Sequence, residues 1–144
     1  VDFEMNNDPA HITRVRAAST ANGLGLVLSF HNFQSTPAQD VLSQRFAKAQ
    51  QLGADVAKVA VMPQRLEDVL SVLGATLDSS QKLNIPVVSM SMGGYGSLTR
   101  LFGGAFGSAM SFAVGAAPSA PGQVPIEDLN TVLDILQKSM APKK

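Results

Sequence analysis

A lysine inside an apolar, β-rich run is the first residue that asks for a chemical explanation. In Val56-Ala57-Lys58-Val59-Ala60-Val61-Met62, the strand period of two places Val56 and Ala60 on the face of Lys58. Two readings fit. Lys58 is either a rim lysine whose stem carries its ammonium to water, or an amine on the inner face of a parallel strand. There, desolvation favours the neutral form that attacks a carbonyl and forms a Schiff base. The apolar wall suits the second reading. His31 follows Leu26-Val27-Leu28-Ser29-Phe30, at the carboxyl end of a strand, where α/β enzymes place their chemistry. It is either a hydrogen-bonded structural residue or a proton shuttle for an iminium on the next strand. Asp2 and Glu4 share one face of the first run, as a solvated strand end or as an acidic lining beside the histidine or lysine.

Other segments carry weaker signals. Gly93-Gly94-Tyr95-Gly96-Ser97 looks like a phosphate cradle, but Gly94-x-Gly96-x-x-Thr99 lacks the third glycine of a dinucleotide fingerprint, and Gly23-x-Gly25-x-x-Leu28 fails in the same way. Arg100 falls within one turn of a helix expected to start near Ser97, where a guanidinium and free backbone N–H groups can hold a carboxylate together; a surface arginine is the plainer reading. Ser119-Ala120-Pro121-Gly122-Gln123 is a turn-rich loop, either a connector or a lid with two polar tips. Met90 and Met92 alternate on one strand face, as core or as substrate wall. His11 and His31 are too far apart for a dedicated metal site, and the chain has no cysteine to supply thiolate ligands.

Positioning these residues falls to five β-rich runs, Val1 to Met5, Gly23 to Phe30, Ala54 to Met62, Ile85 to Met92 and Ala109 to Val114, each followed by a helical pattern. The best-marked helix follows Thr36, which with Gln39 reads as a capping box with Pro37 at the first helical position, and it closes at Gly53. Helices are also expected over 9–21, from Val69 through Leu77 to a stop before Asn84, over 97–105, and from Pro125 onward. That last helix is expected to bury Ile126, Leu129, Val132, Leu133 and Leu136. Repeated βα units argue for a parallel sheet with helices packed outside it. A five-stranded doubly wound sheet would be complete at this length. A (β/α)8 barrel needs about 250 residues and would be represented by about five of its units.

Composition narrows the function classes. The 144 residues are 45% hydrophobic and 15% charged, against about 25% charged in a typical soluble protein, which fits a single α/β domain over 1–144 with a sheet buried on both faces. Eleven basic and eleven acidic side chains cancel, so neither a nucleic-acid partner nor an anionic membrane surface is expected. Without cysteine, a transmembrane run or a signal peptide, a cytoplasmic location is expected. A chain beginning Val-Asp-Phe-Glu inside a strand reads as a piece of something longer.

Together these segments resemble the type I 3-dehydroquinate dehydratases, Schiff-base enzymes of the shikimate pathway. Carrying the resemblance are Val1-Asp2-Phe3-Glu4; Ser29-Phe30-His31-Asn32-Phe33 with Thr36-Pro37; Ala57-Lys58-Val59-Ala60-Val61-Met62-Pro63; Ser91-Met92-Gly93 running to Leu98-Thr99-Arg100; and Phe106-Gly107-Ser108 running to Ser119-Ala120-Pro121-Gly122-Gln123. Each is common alone; their joint occurrence in this order is specific. Asn32 departs from the aspartate expected after the histidine, a conservative change. The resemblance implies a TIM barrel of which this chain supplies strands four to eight. It also implies that Lys58 forms an imine with the ring ketone of 3-dehydroquinate, and that His31 moves the protons that lead to 3-dehydroshikimate. Arg100 would clamp the ring carboxylate, helped by Ser119 and Gln123, with Phe33, Met90, Met92 and Phe112 as the apolar wall, and no metal or cofactor.

The family's acidic and basic pair on strand two, and the arginine and histidine-orienting glutamate near strand three, have no counterpart expected here, and Glu4 is not assigned that orienting role. Two other functions remain open: a Schiff-base aldolase, and a non-catalytic half-barrel that binds a ring acid or a partner. Cut at strand four, the sheet is expected to leave its edges unpaired and the inner faces of Val56, Ala60, Val88, Met90 and Met92 short of apolar cover. A homo-oligomer, or association with a missing N-terminal segment, would supply that cover.

Overall fold

Four parallel strands lie side by side in sequence order, β1 (Asp2–Glu4), β2 (Val27–Asn32), β3 (Val56–Val61) and β4 (Val87–Ser91). The computed structural model describes residues 1–115, 117 and 122–141. Between the strands run α1 (Pro9–Ala21), α2 (Gln39–Gln51) and α3 (Leu66–Lys82), and after β4 come α4 (Gly93–Phe102), a 3-10 turn and α5 (Ile126–Met140). Sequential parallel order with right-handed crossovers puts every crossover helix on the same side of the sheet. A doubly wound sheet would reverse its order partway; this one does not, and it is a segment of barrel wall.

Alternation along the strands divides the sheet into two faces. Leu28 and Phe30 of β2, Ala57, Val59 and Val61 of β3, and Val87 of β4 join Leu42, Phe46 and Ala49 of α2 and Val72 and Ala75 of α3 in one buried core. Val88 and Met90 of β4 pack with Ala60 in a second, smaller cluster on the inner face, against half-buried Val56. Register across the sheet pairs Glu4 with Ser29, Ser29 with Lys58, and His31 with Ala60. At the amino ends of the strands, the Asp55 carboxylate accepts from the backbone N–H of Leu26 at 2.6 Å and from Arg16 of α1 at 2.7 Å. This ties a helix and two strands together.

Several expectations are corrected. Thr36 does not cap α2: the helix starts at Gln39 without a side-chain cap, and the Thr36 hydroxyl donates instead to the Met62 carbonyl, fastening the loop to the end of β3. No strand forms over 109–114. Ser108 and Val114 make only isolated bridges, because the outer edge of β4 is already occupied: Ser89 N–H donates to the Ser108 hydroxyl and Ser91 N–H to that of Thr99. Lacking a fifth strand to cover, α5 buries Leu129 alone. Ile126 and Leu133 are exposed, and Val132 and Leu136 are half-buried. Ala60, Val88, Met90 and Met92 are buried rather than bare and Val56 is half-buried, with the Arg100 guanidinium against the Met90 sulfur and the Phe112 carbonyl. α4 begins at Gly93, so Arg100 lies in its last turn, away from the free N–H groups of the helix start.

Two variants test these supports. The Asp55 carboxyl sits below its usual range because the Leu26 N–H, and next the Arg16 guanidinium, bind its charged form. Its contribution is therefore present above the ordinary carboxyl value and fades as the pH falls through the depressed one. Asp55→Asn should lower stability by about 1 kcal/mol at neutral pH, a modest figure for a half-exposed group, and the gap to wild type in urea unfolding should narrow below about pH 4. A methyl group at Gly96 would sit 1.9 Å from the Ser91 carbonyl oxygen. Gly96→Ala should therefore push α4 off β4 and lower stability by about 1–3 kcal/mol, read from the same denaturation curves.

Candidate active site

The inner face opens into a cavity of about 290 Å³. Lys58 rises from the middle of β3, His31 from the carboxyl end of β2 and Arg100 from the last turn of α4, and all three line it. Phe33, Met90, Met92, Phe112 and Gln123 complete its wall together with Ala60. Ser119, the remaining expected site residue, lies outside the described residues.

Lys58 is not a rim lysine. Its side chain is only 12% exposed, its apolar neighbours on the same face are Val56 and Ala60, and its Nζ lies 5.4 Å from the centre of the Phe112 ring. The ammonium donates to Oδ2 of Asp2 at 2.7 Å. The other carboxylate oxygen of Asp2 accepts from the hydroxyl of Ser29, a fully buried residue. Burial works against the charge on Asp2, but the donors Lys58 and Ser29, and the positive charge of Lys58, outweigh it and hold the carboxyl below its usual value. Asp2 thus stays ionised across the neutral range.

His31 is anchored by a second carboxylate of the same short strand. Its Nδ1 lies 2.6 Å from Oε2 of Glu4; with the carboxylate as acceptor, Nδ1 carries the proton and Nε2 keeps its lone pair in the neutral ring. Phe33 stacks on the imidazole with ring centroids 5.7 Å apart and planes 5° from parallel. The acidic lining is therefore real, and contrary to the expectation for Glu4, a carboxylate of this chain does hold the histidine. Sequence reasoning weighed Asp2 and Glu4 without assigning them, and it passed over Ser29. The available signal was the shared face of residues 2 and 4, which pointed to the lining but not to its partners. Asn32, one residue on, accepts from the backbone N–H groups of Gln34 and Ser35 through Oδ1. An aspartate would accept the same pair.

Arg100 is 2% exposed, which overturns the surface reading. One guanidinium nitrogen reaches the Phe112 carbonyl at 3.3 Å and the Met90 sulfur at 3.8 Å. Burial pushes its pKa down from the usual value, so an anion in the cavity would be a welcome partner for the charge. No group of three or more metal-ligating side chains occurs among the described residues, and no helix among them is long and apolar enough to cross a membrane. The arrangement offers a half-buried amine, an imidazole with a free ring nitrogen and a buried guanidinium around one space. These are the parts for imine chemistry on a carbonyl acid.

Comparison with known proteins gives this geometry a family. The 3-dehydroquinate dehydratase of Albidiferax ferrireducens is 66% identical over 140 residues, covering 97% of this chain and 53% of the relative. That of Geobacillus thermodenitrificans is 50% identical over 138 residues, covering 96% and 53%. The chain therefore spans about half the length of the curated relatives it matches. Among solved structures, the 3-dehydroquinate dehydratase of Geobacillus kaustophilus superposes with a TM-score of 0.94 at 47% identity, over 97% of this chain and 54% of that one. The type I enzyme of Clostridium difficile, solved with covalently modified comenic acid, gives 0.91 at 38%, over 96% and 55%. The sequence profile of the type I 3-dehydroquinases matches residues 1–140, and with the parallel sheet, its order and these relatives in agreement, the chain belongs to the type I 3-dehydroquinase family.

Proposed function

We propose that this chain carries the imine-forming and proton-shuttling side of a Schiff-base dehydratase site, which converts 3-dehydroquinate to 3-dehydroshikimate in the shikimate pathway. The observation that carries the reading is the meeting of Lys58, His31 and Arg100 on one apolar-walled cavity. The Lys58 amine adds to the ring ketone, the carbonyl oxygen leaves as water, and a protonated imine remains. That cation accepts the electron pair of the adjacent C–H bond, whose proton passes to His31. The electrons then return to expel the β-hydroxyl, which takes a proton from His31 and departs as water, and hydrolysis of the imine restores the amine. Arg100 holds the ring carboxylate, with Gln123 and Ser119 as its polar helpers. Buried Met90 and Met92, with the more exposed Phe33 and Phe112, form the apolar wall beside the imine. The same reading includes a cytoplasmic setting and a segment or second copy paired with the open edge of β1, supported by the greater length of the relatives.

Reduction with borohydride in the presence of 3-dehydroquinate, followed by peptide mapping, tests the amine. A reduced adduct on Lys58 that disappears in Lys58→Ala is expected. Labelling of Lys48 or Lys82, which lie on α2 and α3, would overturn the assignment. An adduct on Lys58 without turnover would point to a binding module instead.

The roles of the other two groups separate kinetically. His31→Ala should reduce turnover by about 10² to 10⁴, the usual worth of general acid–base catalysis, while the trapped adduct still forms. Arg100→Ala should chiefly raise KM, because the carboxylate it holds is present in ground and transition states alike. Steady-state kinetics on the protein as its gene encodes it checks both; an unchanged turnover in His31→Ala would return that residue to a structural role.

A further inference from the structure

We infer that Asp2 is the counter-ion of the imine: it accepts the hydrogen bond of the one N–H that the Lys58 nitrogen keeps after condensation and so holds the imine in its protonated, electron-accepting form. The inference rests on the Schiff-base reading above and extends it to a residue with no role in the steps already described.

Proton balance supplies the argument. An ammonium that condenses with a ketone carries three N–H bonds; two hydrogens leave with the carbonyl oxygen as water, and the protonated imine retains a single N–H and the positive charge. In the resting site one N–H of Lys58 already points to Oδ2 of Asp2 at 2.7 Å. The opposite oxygen of Asp2 is held by Ser29, itself fully buried on β2, so the carboxylate is fixed at both ends. The bond to Asp2 can persist unbroken from ammonium to iminium. It also selects the direction of the imine plane, with the N–H toward β1 and the substrate carbon toward the cavity that His31 and Arg100 line. Asp2 is not among the residues that line the cavity and acts through Lys58, so it is a positioning residue. The carboxylate is also available in the right form, since its donors keep it ionised despite partial burial.

Protonation is what makes the imine useful. A neutral imine accepts an electron pair poorly, and a carboxylate beside the nitrogen favours its cationic form. Asp2→Asn keeps the size and one hydrogen-bonding oxygen but removes the charge. The test compares wild type, Asp2→Asn and Asp2→Glu in the protein as its gene encodes it, with 3-dehydroquinate as substrate. One readout is the pH dependence of kcat; the other is trapping by cyanoborohydride, which reduces the protonated imine selectively. For Asp2→Asn, kcat should fall about tenfold at neutral pH with KM nearly unchanged. The alkaline limb of both profiles should move to lower pH by about one unit, as loss of a neighbouring negative charge requires. Asp2→Glu, which keeps the charge, should retain the wild-type limb.

If Asp2→Asn gives wild-type limbs and a kcat within about twofold of wild type, the inference is overturned while the Schiff-base reading stands. If Asp2→Glu loses the limb as completely as Asp2→Asn, charge is not the cause and the inference fails again. Should Asp2→Asn fail to fold, Asp2→Ser replaces it with the same expectations. If the wild-type protein forms no adduct on Lys58, the functional reading itself fails and takes this inference with it.

Discussion

The reactive floor of the cavity depends on the alternation of side chains along three parallel strands. Leu28, Phe30, Ala57, Val59, Val61 and Val87 are committed to the core beneath the helices, and burying them contributes about 25 cal/mol for each Å² of apolar surface removed from water. That commitment fixes the rotation of each strand about its own axis. Ser29, His31, Lys58, Ala60, Val88 and Met90 must then face the other way. A slip of one residue would turn Lys58 into the aliphatic layer and Val59 into the cavity, an exchange the core strongly opposes. The inner site is thus positioned by residues that never touch it.

The inner face carries more charge than an apolar wall can hold without partners, and its ionised groups are accordingly paired. Lys58 has Asp2, His31 has Glu4, and Asp2 in turn has Ser29. These bonds offset desolvation, which for a half-buried pair is comparable in size to the attraction it opposes. Among its contacts, Arg100 has the Phe112 carbonyl and the Met90 thioether. Its guanidinium is buried and lines the cavity, where an anionic group would add a charge-assisted hydrogen bond.

Much of this was legible in the sequence because it follows from period and residue type. The apolar setting of Lys58, the strand-end position of His31 and the parallel βα order are local patterns, and the structure reproduces them. The failures have non-local causes. A run such as Ala109 to Val114 has the composition of a strand, but it needs free backbone groups to pair with, and β4 offers its own to Ser108 and Thr99. Thr36 has the type of a capping residue, but the Met62 carbonyl, 26 positions away, takes its hydroxyl. The stripe on α5 reads as buried only if a fifth strand lies beneath it. Arg100 was misplaced on its helix because the glycines at 93, 94 and 96 suggested a loop. Yet glycine at 96 is what allows the helix to lie against the Ser91 carbonyl from its first turns.

The carboxylates of β1 show why their partners could not be named in advance. Glu4, Ser29 and Lys58 are successive register partners across three strands, so adjacency alone would give Glu4 to the lysine. The observed pairs are crossed: Glu4 reaches forward to His31, and Lys58 reaches back to Asp2. Side-chain length accounts for the crossing. Asp2 lies two strands across from Lys58 and two residues behind it in register, about 12 Å at the usual strand spacing and rise, a gap that a short carboxylate closes only if the long lysine stem covers most of it. His31 sits on the adjacent strand but one inward-facing position further along than Ser29, the register partner of Glu4, and its ring is rigid, so the longer carboxylate must make up that offset. Aspartate at 2 and glutamate at 4 therefore suit these partners in this order. An aspartate at 4 would fall short of His31.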